Sequence, residues 1–262
     1  MLMSTWDCDR AASVLLEAEE SRTDRGPITD EWPELDLETA YAVQDETLRR
    51  RLDRGERLIG VKLGLTSRAK QQRMNIASPL TAWLTDAMVL PAGDPVPQDR
   101  LIHPRAEPEI VFVMRDRLTG PGVTAATALA AVAAVCAGIE IIDSRYRDFT
   151  FTLPDVVADN ASSGFFVTGP VARSPAELDL TLEACLVEAD GQIVDSATGA
   201  AVQGHPAEAL ALAANDLGRR GLAIEPGWIV LTGGMTDAVF VTPGSALAAH
   251  FTHLGSIFLS GG

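Results

Sequence analysis

The sequence has little cysteine, histidine or positive charge, and each shortage excludes something. Its three cysteines, Cys8, Cys136 and Cys185, lie far apart with no C-x-x-C pair. That argues against a disulfide framework or a zinc site. Cys136 and Cys185 fall in apolar runs and read as buried thiols. The four histidines show neither metal-ligand nor triad spacing; His205 reads as a helix-start residue and His103 as structural. A serine nucleophile has no G-x-S-x-G elbow, and no Rossmann or P-loop glycine pattern occurs. No apolar run approaches a membrane span, since the richest, Ala125 to Ala137, is short and mostly alanine. Nor does a basic start precede an apolar stretch, so the expectation is a cytoplasmic protein with no membrane partner. Against 21 Lys and Arg stand 36 Asp and Glu, a formal net charge of -15. Such a surface disfavours nucleic acid and anionic lipid but can hold a hard cation. An anionic substrate then needs local positive charge, from a metal or a buried lysine.

Apolar residues make up 47% of the 262, enough for one large domain, or one domain with a small N-terminal companion. Helical spacing runs from about Thr5 to Arg22, and a second helix begins after Asp36, with Arg49, Arg50, Arg51 and Arg54 before Gly55. Residues 1–56 thus read as a helical N-terminal region, and 57–262 as the main, strand-rich domain. From Leu58 strands take over. Leu58 to Thr66 is a strand with Lys62 embedded among apolar neighbours, and Ser67 can cap a short helix from Arg68 to Met74. Leu84 to Leu90 is expected to carry Asp86 into a strand. Thr124 caps an alanine-rich helix that runs into the strand Gly138 to Asp143. Asp190-Gly191 supplies a hairpin turn. Gly204-His-Pro-Ala-Glu208 opens a helix that Gly221 stops, and the remainder alternates as strands. The βαβ rhythm of a doubly wound sheet is absent, so the class is α+β.

The chemistry concentrates in His103-Pro-Arg-Ala-Glu-Pro-Glu109 and the strand that follows. Glu107 and Glu109 share a parity, which puts their carboxylates on one face with Cβ atoms roughly 6–7 Å apart. Pro108 between them suggests a sheet edge, where a missing ladder donor does little harm. Glu140 is a third carboxylate in an apolar strand. It pairs with Arg145 or Arg147, or else it completes a three-carboxylate site whose oxygen-only donors suit Mg²⁺ or Mn²⁺ rather than Zn²⁺. Lys62 is a water-facing strand residue or, if buried beside that site, an electrophile or proton shuttle. Asp86 is a turn residue or a partner for Lys62. Ser162 and Ser163 are candidates for hydrogen bonding to a ligand.

Gly60-Val-Lys-Leu-Gly-Leu-Thr-Ser67, Leu84-Thr-Asp86, His103 to Glu109, Glu140-Ile-Ile-Asp-Ser-Arg145, Val157-Ala-Asp-Asn-Ala-Ser162 and Gly204-His-Pro206 together resemble the hydratase/decarboxylase family of meta-cleavage pathways. That family lies within the fumarylacetoacetate hydrolase superfamily, and the likeness covers about Leu37 to Leu259. It implies a mixed β-roll core beside the smaller N-terminal region. It also implies Mg²⁺ (or Mn²⁺) on Glu107, Glu109 and Glu140, with Lys62 and Asp86 lining the reacting end. Two activities share the family scaffold: decarboxylation of the six-carbon 2-oxo-3-hexenedioate, and hydration of 2-oxopent-4-enoate. The His103 to Glu109 form and Leu231-Thr-Gly-Gly-Met-Thr236 look like the decarboxylase. Family hydratases more often carry Gly-Ala-Leu-Gly-Pro where this chain has Gly233 to Asp237. A decarboxylase must accept a second carboxylate, and Thr232 and Thr236 with the Gly233-Gly234 amides are the expected contact. The resemblance further implies a homo-oligomer and leaves open association with the pathway hydratase. A non-catalytic partner role would have no need of the three glutamates and Lys62.

Overall fold

The computed structural model describes residues 6–67, Gln71 and 79–262; apart from Gln71, the helix expected from Arg68 to Met74 lies outside the described residues. Two helices open the chain, α1 (Cys8–Ser21) and α2 (Leu37–Asp53), each begun by an aspartate that accepts from a backbone N–H of its first turn. The arginines of α2 tie the pair together: Arg50 meets Asp9, Arg51 meets Glu19 and Arg54 meets Glu20. Ala11, Leu15, Ala40 and Val43 pack with Tyr146, Val156 and Val157, so these helices share a core with the later chain.

Eleven strands follow among the described residues. In chain order they are β1 (Leu58–Gly64), β2 (Leu80–Thr85), β3 (Arg105–Met114), β4 (Val132–Ile142), β5 (Ser163–Arg173), β6 (Ala184–Ala189) and β7 (Gln192–Thr198), then β8 (Ile229–Leu231), β9 (Val239–Phe240), β10 (Ala246–Phe251) and β11 (Gly255–Ser260). Seven form one mixed sheet in the order β2-β1-β8-β3-β4-β5, with β9 also on β3, and four form a second sheet, β11-β10-β6-β7. The even-numbered residues Ile110 and Phe112 of β3 pack with Val187, Leu247 and Ile257 of the second sheet in one large apolar cluster. The odd-numbered face is the other side, and there the polar chemistry collects. Helix α4 (Pro206–Arg219) starts as expected: His205 accepts from Ala207 N–H and Pro206 fills the first turn. The Asp190-Gly191 turn joins β6 to β7 with both residues at positive φ, the conformation its hairpin type requires.

Three local expectations change. The alanine-rich helix is only α3 (Ala125–Ala130), capped by Thr124 and Thr127, and Val132 to Ala137 belongs to β4. That stretch lies between β3 and β5. Ladder partners on both sides and burial outweigh alanine's helix preference. Pro108 is not at an edge, because β3 is central. The Pro108 carbonyl accepts from Met235 N in the gap between β8 and β9. Nitrogen and carbonyl of a strand residue point the same way, so the missing N–H falls where no ladder runs. Asp86 is not in a strand: β2 ends at Thr85, and Asp86 begins a short 3₁₀ turn.

Candidate metal centre and its cavity

Register assembles the site. Glu107 of β3 pairs directly with Glu140 of β4, while Lys62 of β1 aligns with Leu231 of β8, which aligns with Val111 of β3. Paired residues project from the same face of a sheet. Lys62, Glu107, Glu109 and Glu140 therefore converge, although 78 positions separate Lys62 from Glu140. Oxygen atoms of the three carboxylates all lie within 4.8 Å of one another. Glu109 and Glu140 are buried, and Glu107 is half-buried at the cavity.

The loop after β8 closes behind the cluster and explains two glycines. Gly233 has φ near 105°, and its amide donates to Glu109 Oε2 at 2.8 Å. A Cβ on Gly234 would stand 2.8 Å from the carboxyl carbon of Glu107. Only a backbone without side chains can pass this close.

Burial drives the Glu109 carboxyl well above its ordinary range, and Glu140 and Glu107 push it further, against the Gly233 amide and Lys62. Burial likewise raises Glu140 in spite of Lys62. Among the described residues nothing donates a hydrogen bond to Glu109 Oε1. A buried acceptor without a donor is expensive, and a hard divalent cation is the partner that three converging carboxylate oxygens suit. The residues present fit such an ion.

Lys62 is 3% exposed and its Nζ donates to Glu140 Oε1 at 2.6 Å and to the Ala161 carbonyl at 2.7 Å. That carbonyl is offered by an unusual turn. Asn160, Ala161 and Ser162 have φ of 48°, 50° and 58°, three consecutive left-handed residues without a glycine. Each such residue costs about 1–2 kcal/mol, so the surroundings must hold the turn. The Asn160 side chain does so from below, accepting from Trp83 N and donating to Trp83 O, both at 2.9 Å. Buried Arg145 does so from behind, binding the Asp159 carboxylate, the Asp159 carbonyl at 2.6 Å and the Ser163 carbonyl at 2.8 Å. Burial lifts the Asp159 carboxyl to about 6 in spite of this arginine. Backbone strain held by such over-determined surroundings is typical of reacting sites.

Over the cluster lies a cavity of about 700 Å³. Lys62, Glu107 and Ser162 give it a polar floor, Leu65, Leu80 and Val156 an apolar wall, and Arg105, Phe149 and Asp237 line it further.

The sequence-derived candidates divide. Glu107, Glu109, Glu140, Lys62 and Ser162 are brought together. Glu140 pairs with neither arginine considered for it, because Arg145 is taken by Asp159 and Arg147 by Asp24. Asp86 is corrected: its carboxylate binds the Arg57 backbone N–H and guanidinium, each at 2.8 Å, which also holds its pKa low. It follows Thr85, which pairs with Leu58 at the opposite end of β1 from Gly64, so it neither meets Lys62 nor lines the cavity. Thr232 is corrected too, since it is fully buried and its hydroxyl donates to the Ile110 carbonyl at 2.7 Å. Thr236 is almost buried and donates to the Asp237 carbonyl. The Gly233 amide serves the chain's own Glu109, so this loop supports the glutamates rather than a distal carboxylate. Sequence reasoning missed Arg105, whose signal was its parity with Glu107 and Glu109.

Comparison with known proteins gives a consistent picture. A family model for the fumarylacetoacetate (FAA) hydrolase C-terminal region matches residues 57–258. A 4-oxalocrotonate decarboxylase of Pseudomonas putida is 40% identical over 246 residues, 94% of this chain and 93% of that one. A 2-hydroxyhexa-2,4-dienoate hydratase of Comamonas testosteroni is 43% identical over 227 residues, 86% of each chain. The solved structure of 4-oxalocrotonate decarboxylase from Pseudomonas putida G7, complexed with magnesium and adipate, aligns with a TM-score of 0.94 at 40% identity, covering 97% of this chain and 96% of that chain.

Proposed function

The chain belongs to the fumarylacetoacetate hydrolase family, and on that premise we propose that it is a Mg²⁺-dependent carbon–carbon lyase that decarboxylates 2-oxo-3-hexenedioate (4-oxalocrotonate) in meta-cleavage catabolism of aromatic compounds. The observation that carries this reading is the cluster of half-buried Glu107 with buried Glu109 and Glu140, beside Lys62 at the floor of a cavity that fits a six-carbon acid. Mn²⁺ would satisfy the same oxygen donors. A cation held there supplies a Lewis acid for the C1 carboxylate and C2 oxygen of the substrate.

In the reaction the C5–C6 bond breaks and CO₂ departs. The electron pair moves through the C3–C4 double bond to the C2 oxygen, giving 2-hydroxypenta-2,4-dienoate once protonated. Lys62 is the group placed to serve that oxygen. An ammonium has three N–H donors; Glu140 and Ala161 engage two, leaving one for the cavity Lys62 lines. Ser162 supplies a hydroxyl beside it. Leu65, Leu80 and Val156 keep water from the carbon chain.

Hydratase activity on the same floor is the second reading, favoured by the 43% identity to a hydratase. A paired assay with Mg²⁺ tests both. One arm follows CO₂ from 2-oxo-3-hexenedioate and the other follows water addition to 2-hydroxypenta-2,4-dienoate. CO₂ release without hydration supports the proposal, and hydration alone replaces it with the second reading. The proposal extends to a cytoplasmic homo-oligomer that associates with the pathway hydratase, with residues 1–56 as a helical N-terminal region and 57–262 as the catalytic domain. Among the described residues no helix is long and apolar enough to cross a membrane.

A further inference from the structure

Arg105 opens β3 with the same parity as Glu107 and Glu109, so its side chain leaves the face that carries the carboxylate cluster. Its guanidinium lies over two aromatic rings, 4.0 Å from the Phe149 centroid and 4.5 Å from that of Phe240. Phe240 is 59% exposed, so its ring serves this stack more than the core. Rings this close occupy the flat of the guanidinium rather than its edge, and the edge carries the N–H donors. Among the described residues those donors have no acceptor. Nε is buried without a partner, and no described residue forms a hydrogen bond or ion pair with this side chain. In a chain with 36 acidic residues that is conspicuous: Arg49, Arg50, Arg51, Arg54 and Arg57 all meet carboxylates. Arg105 also lines the cavity beside Glu107.

Position matches the substrate class. Two residues along a strand place Arg105 roughly 6–7 Å from Glu107 at the backbone. Five carbon–carbon bonds of about 1.5 Å each, zigzagged, separate the two carboxyl carbons of an extended six-carbon diacid by roughly the same distance. An acid whose 2-oxo end sits at the glutamates therefore brings its far carboxylate to the arginine edge, where a planar fork meets a planar carboxylate in bidentate fashion.

We propose that Arg105, held flat by Phe149 and Phe240, is the residue that selects dicarboxylate substrates by binding the carboxylate distal to the 2-oxo group. This rests on the 2-oxo diacid reading above. The contact forms in the ground state and vanishes with the departing CO₂. Its loss therefore raises KM about 10- to 100-fold, and kcat does not fall with it.

The test is calorimetric and needs no turnover. In Mg²⁺, the wild type and Arg105→Met are titrated with 2-oxoadipate and with 2-oxohexanoate, saturated acids of one length that differ only in the distal carboxylate. The wild type is expected to bind 2-oxoadipate about 10- to 100-fold more tightly. Arg105→Met loses that preference while holding 2-oxohexanoate as before, which also reports that the site remains folded. Arg105→Lys, which keeps the charge without the fork, retains part of it. A preference that survives in Arg105→Met, or equal weakening of both ligands, overturns the assignment and leaves the diacid reading standing. A wild type that binds the two acids equally overturns the diacid reading and Arg105's role together.

Discussion

Glu109→Gln should make the metal-free protein more stable and the metal-loaded protein less so. Glu109 is fully buried, one oxygen lacks a donor and two other carboxylates stand beside it. Glutamine keeps the shape, and its carbonyl can still accept from Gly233 N–H. Its amide can donate to the two carboxylates whose oxygens stand within 4.8 Å of it. Removing an uncompensated buried charge gains about 1–3 kcal/mol, which for a chain of this size is a rise in Tm of roughly 2–10 °C in EDTA at pH 8. Mg²⁺ at a hundred times its Kd adds about 2.7 kcal/mol to the wild type, and most of that is lost in the variant, so the order of the two proteins reverses. Scanning calorimetry in EDTA and across a Mg²⁺ titration reads the crossing. The pH dependence has a fixed sign. Glu109 titrates in the folded protein well above its ordinary 4.5, so the folded state binds more protons than the unfolded one in that window. Wild-type stability from this group then grows as pH falls through the folded value toward 4.5 and is lost as pH rises. Glutamine does not titrate, so its advantage in EDTA must shrink on acidification. A variant less stable than the wild type in EDTA, or an equal gain from Mg²⁺ in both proteins, would refute the reasoning.

Lys62→Met leaves Glu140 buried without its partner, with an expected loss of about 3–5 kcal/mol in EDTA, visible as a lower urea midpoint. Mg²⁺ should restore part of it while kcat stays down by about 10²–10⁴-fold; unchanged turnover would remove Lys62 from the chemistry. Asp86→Asn should keep kcat and KM within twofold, because among the described residues the side chain engages Arg57 alone, and a large drop would return it to the site. Asn160→Ala removes both clamps on Trp83. It should destabilise by about 1–3 kcal/mol and lower kcat through the displaced Ala161 carbonyl; full activity at reduced stability would separate the turn from catalysis.

What the sequence made legible was whatever obeys a local period. The parity of Glu107 and Glu109, the Asp36 cap, the Asp190-Gly191 hairpin and the Pro206 helix start each depend on neighbours within a few positions, and each stands in the structure. Three glutamates could be grouped because the flanking motifs resembled a known family, not because spacing joined 107 to 140. Failures came where distant segments decide. Val132 to Ala137 became strand because β3 and β5 flank it. Pro108 could occupy a central strand because the ladder beside it is broken between β8 and β9. Asp86 went to Arg57 because β2 turns away one residue earlier.

The error over Thr232 and Thr236 is the instructive one, since Gly233 between them does bind a carboxylate, but it is Glu109's. A fold that concentrates three acids in one pocket must first satisfy its own charges, and the nearest donors, the Gly233 amide and Lys62, are committed to that. A second anion from outside has to find a cation that the internal cluster has not taken. Glu107 and Arg105 differ by two positions on one strand face, yet the rings of Phe149 and Phe240 clasp the guanidinium and leave its donors unclaimed. The division of labour follows: buried donors hold the acidic cluster in shape for a cation, and the aromatic clasp reserves one arginine for the ligand.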